Sequence, residues 1–361
     1  MRIAHVSPLH FGTSGYLGGG ERYVTNIAFG QLAADHNVSV DILSMSDRTY
    51  ERAISPRLAL RLFEVTSYHD DPLQNIAAEL TPALADYDVI HVHQAYTRAS
   101  QLAIVAARVL GKALALTDHG ALLEDGISVE RATGYLGCVD LIMAQSRFAA
   151  ALIPAGYRTG VVPGGVNDRL FCPPTARRRR SHVLFVGRLL PHKGVHCLIR
   201  ALPRGIELLV AGRKYDDGYA EYLLELGREK SVRFLGAVDD VMLRELYRTA
   251  WAAILPSVHC DDWGNVYVAP ELMGLTALES MACGTPAIVS SAGALPEFVE
   301  HERTGMVFAD EMELRNIIER VVTGALDVER LGEAARRRVE DAYGLLPVGH
   351  AMLGAYRAII N

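Results

Sequence analysis

Short runs rich in Val, Ile and Leu, each followed by a stretch with helical spacing, recur along the chain. RIAHVSP, SVDILS, DVIHVHQ, KALALTDHG, LIMAQS and GVVPGGV occupy the first half. Apolar runs that hardly alternate with polar residues suit strands covered on both faces, and strands separated by helices pair in parallel. After the interval FCPPTARRRR the series begins again with HVLFVGR, IELLVAG, VRFLGAV, AAILPS and PAIVSS. The pattern predicts an α/β protein of two doubly wound sheets joined near residue 175. Residues 1–170 are assigned to the first domain and 171–344 to the second. Residues 345–361, where VGHAMLGAYRAII has helical apolar spacing, are assigned to a terminal helix. Sheets of this kind bind ligands outside the carboxyl ends of their strands, so a cleft between the domains is the expected site.

At 361 residues, 50% of them apolar, the chain is long enough for two cores of ordinary size. A net charge of -6 argues against bulk binding of nucleic acid. The one basic run, ARRRRSH at 176–182, reads as a solvated linker ahead of a contact to phosphate or to a membrane surface. Five scattered cysteines, Cys138, Cys172, Cys197, Cys260 and Cys283, form no C-x-x-C pair, which favours a reducing cytoplasm over a disulfide framework or a zinc knuckle. No apolar stretch reaches the roughly 18 residues of a transmembrane segment, and MRIAHVSPLHF, broken by His5 and Pro8, lacks the form of a signal peptide. Peripheral contact with the inner membrane surface stays open. Arg outnumbers Lys 32 to 4, a hint of a GC-rich bacterial genome, so each lysine carries more information.

Glycines precede helices at three informative places. Gly18, Gly19 and Gly20 end HFGTSGYLGGG before an amphipathic stretch, where backbone amides and a positive helix end can approach an anion or a sugar hydroxyl. The spacing is not G-x-G-x-x-G and no acidic residue closes the next strand, which argues against a dinucleotide. Taken alone, the loop equally suits an ordinary strand-to-helix turn. In LFVGRLLPHKGVHCLIRAL, Gly187 follows a strand while Arg188 and Lys193 flank the turn, a planar fork and a point charge suited to a diphosphate. In APELMGLTALESMACGTPAIVS, Glu271 and Glu279 stand on either side of Gly274. On one continuous helix they would lie roughly 80° apart in azimuth and about 12 Å apart along the axis, too far to share a small ligand. A tight turn at Gly274, with the helix opening at Leu275 or Thr276, aims both carboxylates into one cleft.

GGGER, HVH, TDHG, VGRLLPHKGV, ELMGLTALESMACGTP and GALPEFV…TGMVF stand in the order found in retaining, nucleotide-sugar-dependent glycosyltransferases of the GT-B fold, family 4 (glycosyl transferases group 1). The chain resembles that family over nearly its whole length, most specifically in E-x7-E followed by MACGTP. The resemblance implies two Rossmann-like domains facing each other across a cleft, with the terminal helix crossing back to the first. It implies transfer of a hexose-type sugar from a nucleoside diphosphate donor, a UDP or GDP sugar, to a hydroxyl acceptor such as a cell-envelope glycan, a glycolipid or a natural product. No metal or other cofactor is expected. Carried over by position, Glu279 would hold the ribose hydroxyls and Glu271 would face the donor sugar. The amides of Gly274, Leu275 and Thr276, with Arg188 and Lys193 beside Gly187, would hold the diphosphate. Gly19 and Gly20 would lie near the β-phosphate and acceptor, and His119 would contact the sugar beside the reacting carbon. The implied catalytic set is His119, Arg188, Lys193 and Glu271. Two departures stand out: Gly164-Gly165-Val166-Asn167 replaces the frequent Asn-Gly-Val-Asp, and HCDDWGNVYVAP lengthens the approach to Glu271.

Other readings compete at single positions. His91 and His93 share a strand face and, with His119, could hold a metal, but histidines at a strand's carboxyl end more often hydrogen-bond substrate or backbone. DYD at 86–88 imitates the metal-binding D-x-D of another transferase fold, yet it precedes its strand and reads as a turn. Glu297 in ALPEF either orients a loop or touches substrate. A sugar-nucleotide epimerase, a phosphorylase or a non-catalytic nucleotide-sugar binder would suit the same scaffold, although intact Glu271, Glu279, Arg188, Lys193 and His119 favour turnover. As a glycosyl group leaves, negative charge builds on the diphosphate, which fixed cations and amides can hold without a metal. With no obvious enzymic nucleophile, retention fits acceptor attack from the leaving-group face.

Overall fold

A computed structural model describes residues 1–7, 18–120, 134–176 and 178–360; the start of the first glycine-rich loop, at 8–17, falls outside them. The chain forms two compact units, Met1–Gly165 with Gly344–Asn361, and Val166–Tyr343. Sequence spacing puts the first boundary after residue 170, whereas the chain changes units after Gly165. The reason is local: the Val166 amide donates to Tyr343 O at 2.8 Å, so the outgoing and returning strands of backbone are tied at one point. Asn167 caps the turn that follows, its side-chain oxygen accepting from the Leu170 amide at 3.1 Å.

The sheet of the first unit comprises β1 (Arg2–Val6), β2 (Ser39–Ser46), β3 (Tyr50–Ser55), β4 (Leu58–Glu64), β5 (Val89–His93), β6 (Ala113–Thr117), β7 (Leu141–Ala144) and β8 (Thr159–Val161). Its order is β3-β4-β2-β1-β5-β6-β7-β8. All neighbours are parallel except β3 and β4, an antiparallel edge pair that the apolar-run pattern misses because TYERAIS is polar and β3 is almost wholly exposed. Central strands β1 and β5 are buried, as the unbroken apolar runs require. Helices α1 (Gly19–Ala34) and α2 (Arg98–Val109) belong to this unit. Asp88 of DYD accepts from the Arg2 amide at 2.8 Å at the amino edge of the sheet, which is a strand-anchoring role.

The second unit carries β9 (His182–Val186), β10 (Glu207–Ala211), β11 (Val232–Gly236), β12 (Ala250–Leu255), β13 (Ala287–Ser290) and β14 (Gly305–Phe308), parallel in the order β11-β10-β9-β12-β13-β14. Helix α3 (Val195–Ala201) follows β9 and α4 (Leu275–Ala282) lies between β12 and β13. In each sheet the winding direction reverses beside the first strand, at β1/β5 and at β9/β12, and these switch points open crevices at the strands' carboxyl ends. At the opposite edge, Arg180 is not the solvated linker residue its run suggests. It donates to Ala250 O at 2.6 Å and to Thr285 Oγ1 at 3.2 Å, and pairs with Glu329.

After Tyr343 the chain returns to the first unit as α5 (Leu345–Arg357), which packs on α1. Small residues set that distance. A Cβ on Gly349 would lie 2.0 Å from Gly30 O, and one on Gly30 would lie 2.6 Å from Leu345 O, so the two backbones touch where only glycine fits. Among the described residues no helix is long and apolar enough to cross a membrane.

Candidate functional site

The β9/β12 switch point gathers most of the expected residues. Strand β9 ends at Val186 and runs through Gly187 and Arg188 into a short 3-10 turn, Pro191–Lys193. Strand β12 leads through Ser257 and the longer segment to Glu271. Lys193 Nζ donates to Glu271 Oε1 at 2.6 Å and to Pro270 O at 3.4 Å, and Ser257 Oγ donates to the same carboxylate oxygen at 3.1 Å. The two charges therefore arrive as a pair, each side chain about 15% exposed (15% and 14%). Such a pair keeps an ammonium and a carboxylate side by side at a strand end without leaving either charge uncompensated. His192 sits among them. Burial, then Lys193 and Arg188, push its imidazole down to about 4 against the pull of Glu271 and Asp261, so it is neutral at pH 7. Arg188 is exposed, with its guanidinium over the Tyr215 ring at 5.9 Å.

Gly274 caps α4 in a left-handed conformation, φ 84° and ψ 53°, and a Cβ there would also strike Leu295 at 2.6 Å. The helix opens at Leu275 as the spacing predicts, so the amides of Leu275 and Thr276 are among those with no partner inside the helix. Glu279 lies one turn in. It is 1% exposed and its Oε2 accepts from the Tyr247 hydroxyl at 3.1 Å. The loop after β13 fixes Glu271 from behind, the Ala294 amide donating to Glu271 O at 2.9 Å. The nearby Glu297 main-chain carbonyl accepts from Arg338 at 3.2 Å. The lengthened segment before Glu271 is organised by Asp261, whose carboxylate accepts from the amides of Trp263 and Asn265 and from the Tyr267 hydroxyl.

In the first unit, α1 opens at Gly19 against His119: a Cβ on Gly20 would lie 4.0 Å from His119 Cγ. Glu21 folds back over the helix start, its Oε2 2.8 Å from where a Gly18 Cβ would be, and so already sets a negative group at the positive end. His119 has both ring nitrogens engaged, Nε2 with His93 Nδ1 at 3.1 Å and Nδ1 with Gln145 Nε2 at 3.2 Å. Its ring meets Tyr23 edge-on at 4.9 Å. His5, His91 and His93 bring ring nitrogens within 4.8 Å of one another, so the candidate metal set of the sequence shifts from His119 to His5. Their nitrogens bond instead to one another, to Gln31, to Tyr356 and to Thr117. Burial holds His5 and His119 down to about 4, and His91 and His93 well below the usual value.

Residues 173–338 match the glycosyl transferases group 1 family, and residues 17–170 match Glycosyltransferase Family 4. Together these matches take in both carboxylates, both cations and the first-unit glycines. The chain belongs to glycosyltransferase family 4, with the GT-B fold. An uncharacterised glycosyltransferase of Methanocaldococcus jannaschii is 41% identical over 130 residues, 34% of this chain and 30% of that protein. The MMP alpha-(1→4)-mannosyltransferase of Mycolicibacterium hassiacum is 30% identical over 281 residues, 75% of this chain and 65% of its own. The chain thus spans less than two thirds of either relative. The solved structure of Anabaena HepE in complex with UDP and glucose has a TM-score of 0.77 at 19% identity, covering 99% of this chain and 100% of that one.

Against this family 4 framework, the residues that sequence reasoning missed are mostly partners of expected ones. Gln145 and His5 carry no motif, and Tyr247, the partner of Glu279, lies on a helix 32 residues earlier. Gln94 directly follows HVH with φ 65°, a left-handed conformation rare for a non-glycine residue, and its amide donates to Thr117 O at 2.9 Å. The only sequence signal for it is its place at the carboxyl end of β5.

Proposed function

We propose that the protein is a retaining glycosyltransferase that moves a hexose-type sugar from a UDP or GDP sugar to a hydroxyl acceptor. The observation that carries the reading is the Lys193–Glu271 pair at the β9/β12 switch point, followed in the chain by the open amides of α4, with Glu279 one turn inside that helix. The diphosphate is expected against those amides, Lys193 and Arg188, the ribose at Glu279 and the sugar at Glu271. His119 and the start of α1 take the sugar and acceptor side. Because Glu21 already lies over that helix start, a hydroxyl-bearing group suits it better than a bare phosphate. The name of the Mycolicibacterium hassiacum mannosyltransferase supports transfer of a hexose, and the UDP and glucose bound to HepE support a nucleoside diphosphate sugar as donor. Fixed cations and helix amides stabilise charge as it builds on the leaving diphosphate, which gives the protein a way to work without a metal.

The test is incubation of the full chain with a panel of radiolabelled nucleotide sugars, with and without cell-envelope, glycolipid and natural-product acceptors, followed by product analysis of anomeric configuration. Transfer with retained configuration, surviving EDTA, is the expected result. Isomerisation of the donor, binding without turnover, or loss of transfer on chelation with recovery in Mg²⁺ would each sink a stated part of the reading.

A further inference from the structure

A chain of hydrogen bonds crosses the first unit, and its direction can be read from one end. The Asp118 main-chain carbonyl can only accept, so Gln145 turns its NH2 toward it at 2.7 Å, and the second hydrogen of that NH2 points at His119 Nδ1. A neutral imidazole has one donor and one acceptor, so His119 keeps its proton on Nε2 and gives it to His93 Nδ1. His93 Nε2 then donates to His5 Nδ1 at 3.0 Å, and His5 Nε2 to Gln31 Oε1 at 3.0 Å. The Gln31 NH2 donates to the Tyr356 oxygen at 3.2 Å, the Tyr356 hydroxyl to His91 Nδ1 at 2.6 Å, and His91 Nε2 to Thr117 Oγ1 at 2.8 Å. The directions agree at every link.

We propose that Gln145 is a positioning residue that sets the proton order of this whole chain and so holds His119 as the neutral Nε2–H tautomer with neither ring nitrogen free. Every later member is reversible: imidazoles exchange tautomers, the Gln31 amide turns over, and the two hydroxyls rotate. Among the described residues, Gln145 alone faces a group whose role is fixed. Burial, which lowers the basicity of all four histidines, keeps them neutral at pH 7 and so keeps the order intact. A metal at His5, His91 and His93 would have to displace the bonds that carry this order. For its effect on turnover the proposal rests on the reading of His119 as a neighbour of the donor sugar. Reversing the chain inverts the summed imidazole dipoles, a change felt most by the charge that develops on the sugar as the diphosphate leaves.

Imidazole ¹⁵N spectra of the full chain and of Gln145→Glu test the order directly. In the unsubstituted protein, His5, His91, His93 and His119 are expected as Nε2–H at about pH 7. In Gln145→Glu an acceptor faces His119 Nδ1, whether the carboxyl is charged or gives its proton to Asp118 O. The His119 proton moves to Nδ1, and His93 and His5 follow. An Nδ1 proton on His119 before substitution overturns the proposal, and so does a variant in which His119 switches while His93 and His5 stay. If the variant fails to fold, the first spectrum alone decides. Stoichiometric Zn²⁺ that displaces these signals overturns it in favour of a metal site. In kinetics, Gln145→Glu is expected to lower kcat about tenfold with donor KM changed less than about threefold. Reversal seen in the spectra with kcat unchanged upholds the proton order and overturns its bearing on turnover, so the two readings fail separately.

Discussion

Lys193 and Glu271 show how one contact changes what a substitution measures. Lys193→Ala removes a cation proposed to meet the leaving diphosphate and also strips Glu271 of its 2.6 Å partner, so its effect is compound. Arg188 is exposed and rests on Tyr215, so Arg188→Ala tests the clamp with less disturbance. Both are expected to lower kcat more than donor affinity, by about 100-fold or more for loss of one donor to a developing anion. Glu279→Ala is expected to raise donor KM chiefly, because ribose hydroxyls keep their charge through transfer. Both parameters for each variant at saturating acceptor, after circular dichroism confirms folding, settle the matter. Cation variants that lose only affinity while Glu279→Ala loses only turnover would reverse the assignment. At this scale the charged residues were legible because glycines and helix starts surround them. Gln145, His5 and Tyr247 were not, since a buried amide, imidazole or phenol in an apolar run looks like core.

Among the elements, the α1–α5 contact is the one most sensitive to a single carbon. Gly349→Ala places a Cβ 2.0 Å from Gly30 O, and a backbone oxygen cannot rotate aside as a side chain can. The helices must separate, at a cost of about 1–3 kcal/mol typical of overpacking, which lowers Tm by about 2–4 °C per kcal/mol for a unit of this size. Gly354→Ala on the same helix meets nothing within 4 Å and serves as the control in differential scanning calorimetry. Equal melting temperatures for the two variants would count against the close approach. The strand–helix alternation made nearly every central element readable, and the capping turn at Gly274 followed from the carboxylate spacing. The edge strand β3 escaped because an exposed edge strand carries no apolar signature.

For the whole molecule, buried neutral histidines tie stability to pH. His5, His119 and His192 are held down to about 4 from 6.5, and His91 and His93 well below the usual value, all chiefly by burial. The unfolded chain takes up protons at these positions as pH falls below 6.5 while the folded chain does not. These histidines therefore leave stability level above about pH 7 and lower it as pH drops from about 6.5 toward 4, each contributing up to about 1.4 kcal/mol per pH unit. Urea midpoints at neutral, mildly acidic and more acidic pH measure this; a midpoint that stays constant down to about pH 5, above the range where carboxylates titrate, would contradict it.

The amino-acid order determined what depends on near neighbours. Strand and helix periods, the glycine that turns into α4 and the spacing of Glu271 from Glu279 are set within a few residues, and with them came the α/β class, the twin sheets and the family. Tertiary structure decided what depends on which strands lie side by side. Lys193 meets Glu271 across 78 residues, His5 meets His93 across 88, and Gln31 meets Tyr356 across 325. No local pattern encodes such pairs. A polar side chain taken from water must find a partner, and which partner stands within reach is set by the winding of the sheet and by the return of α5 to the first unit.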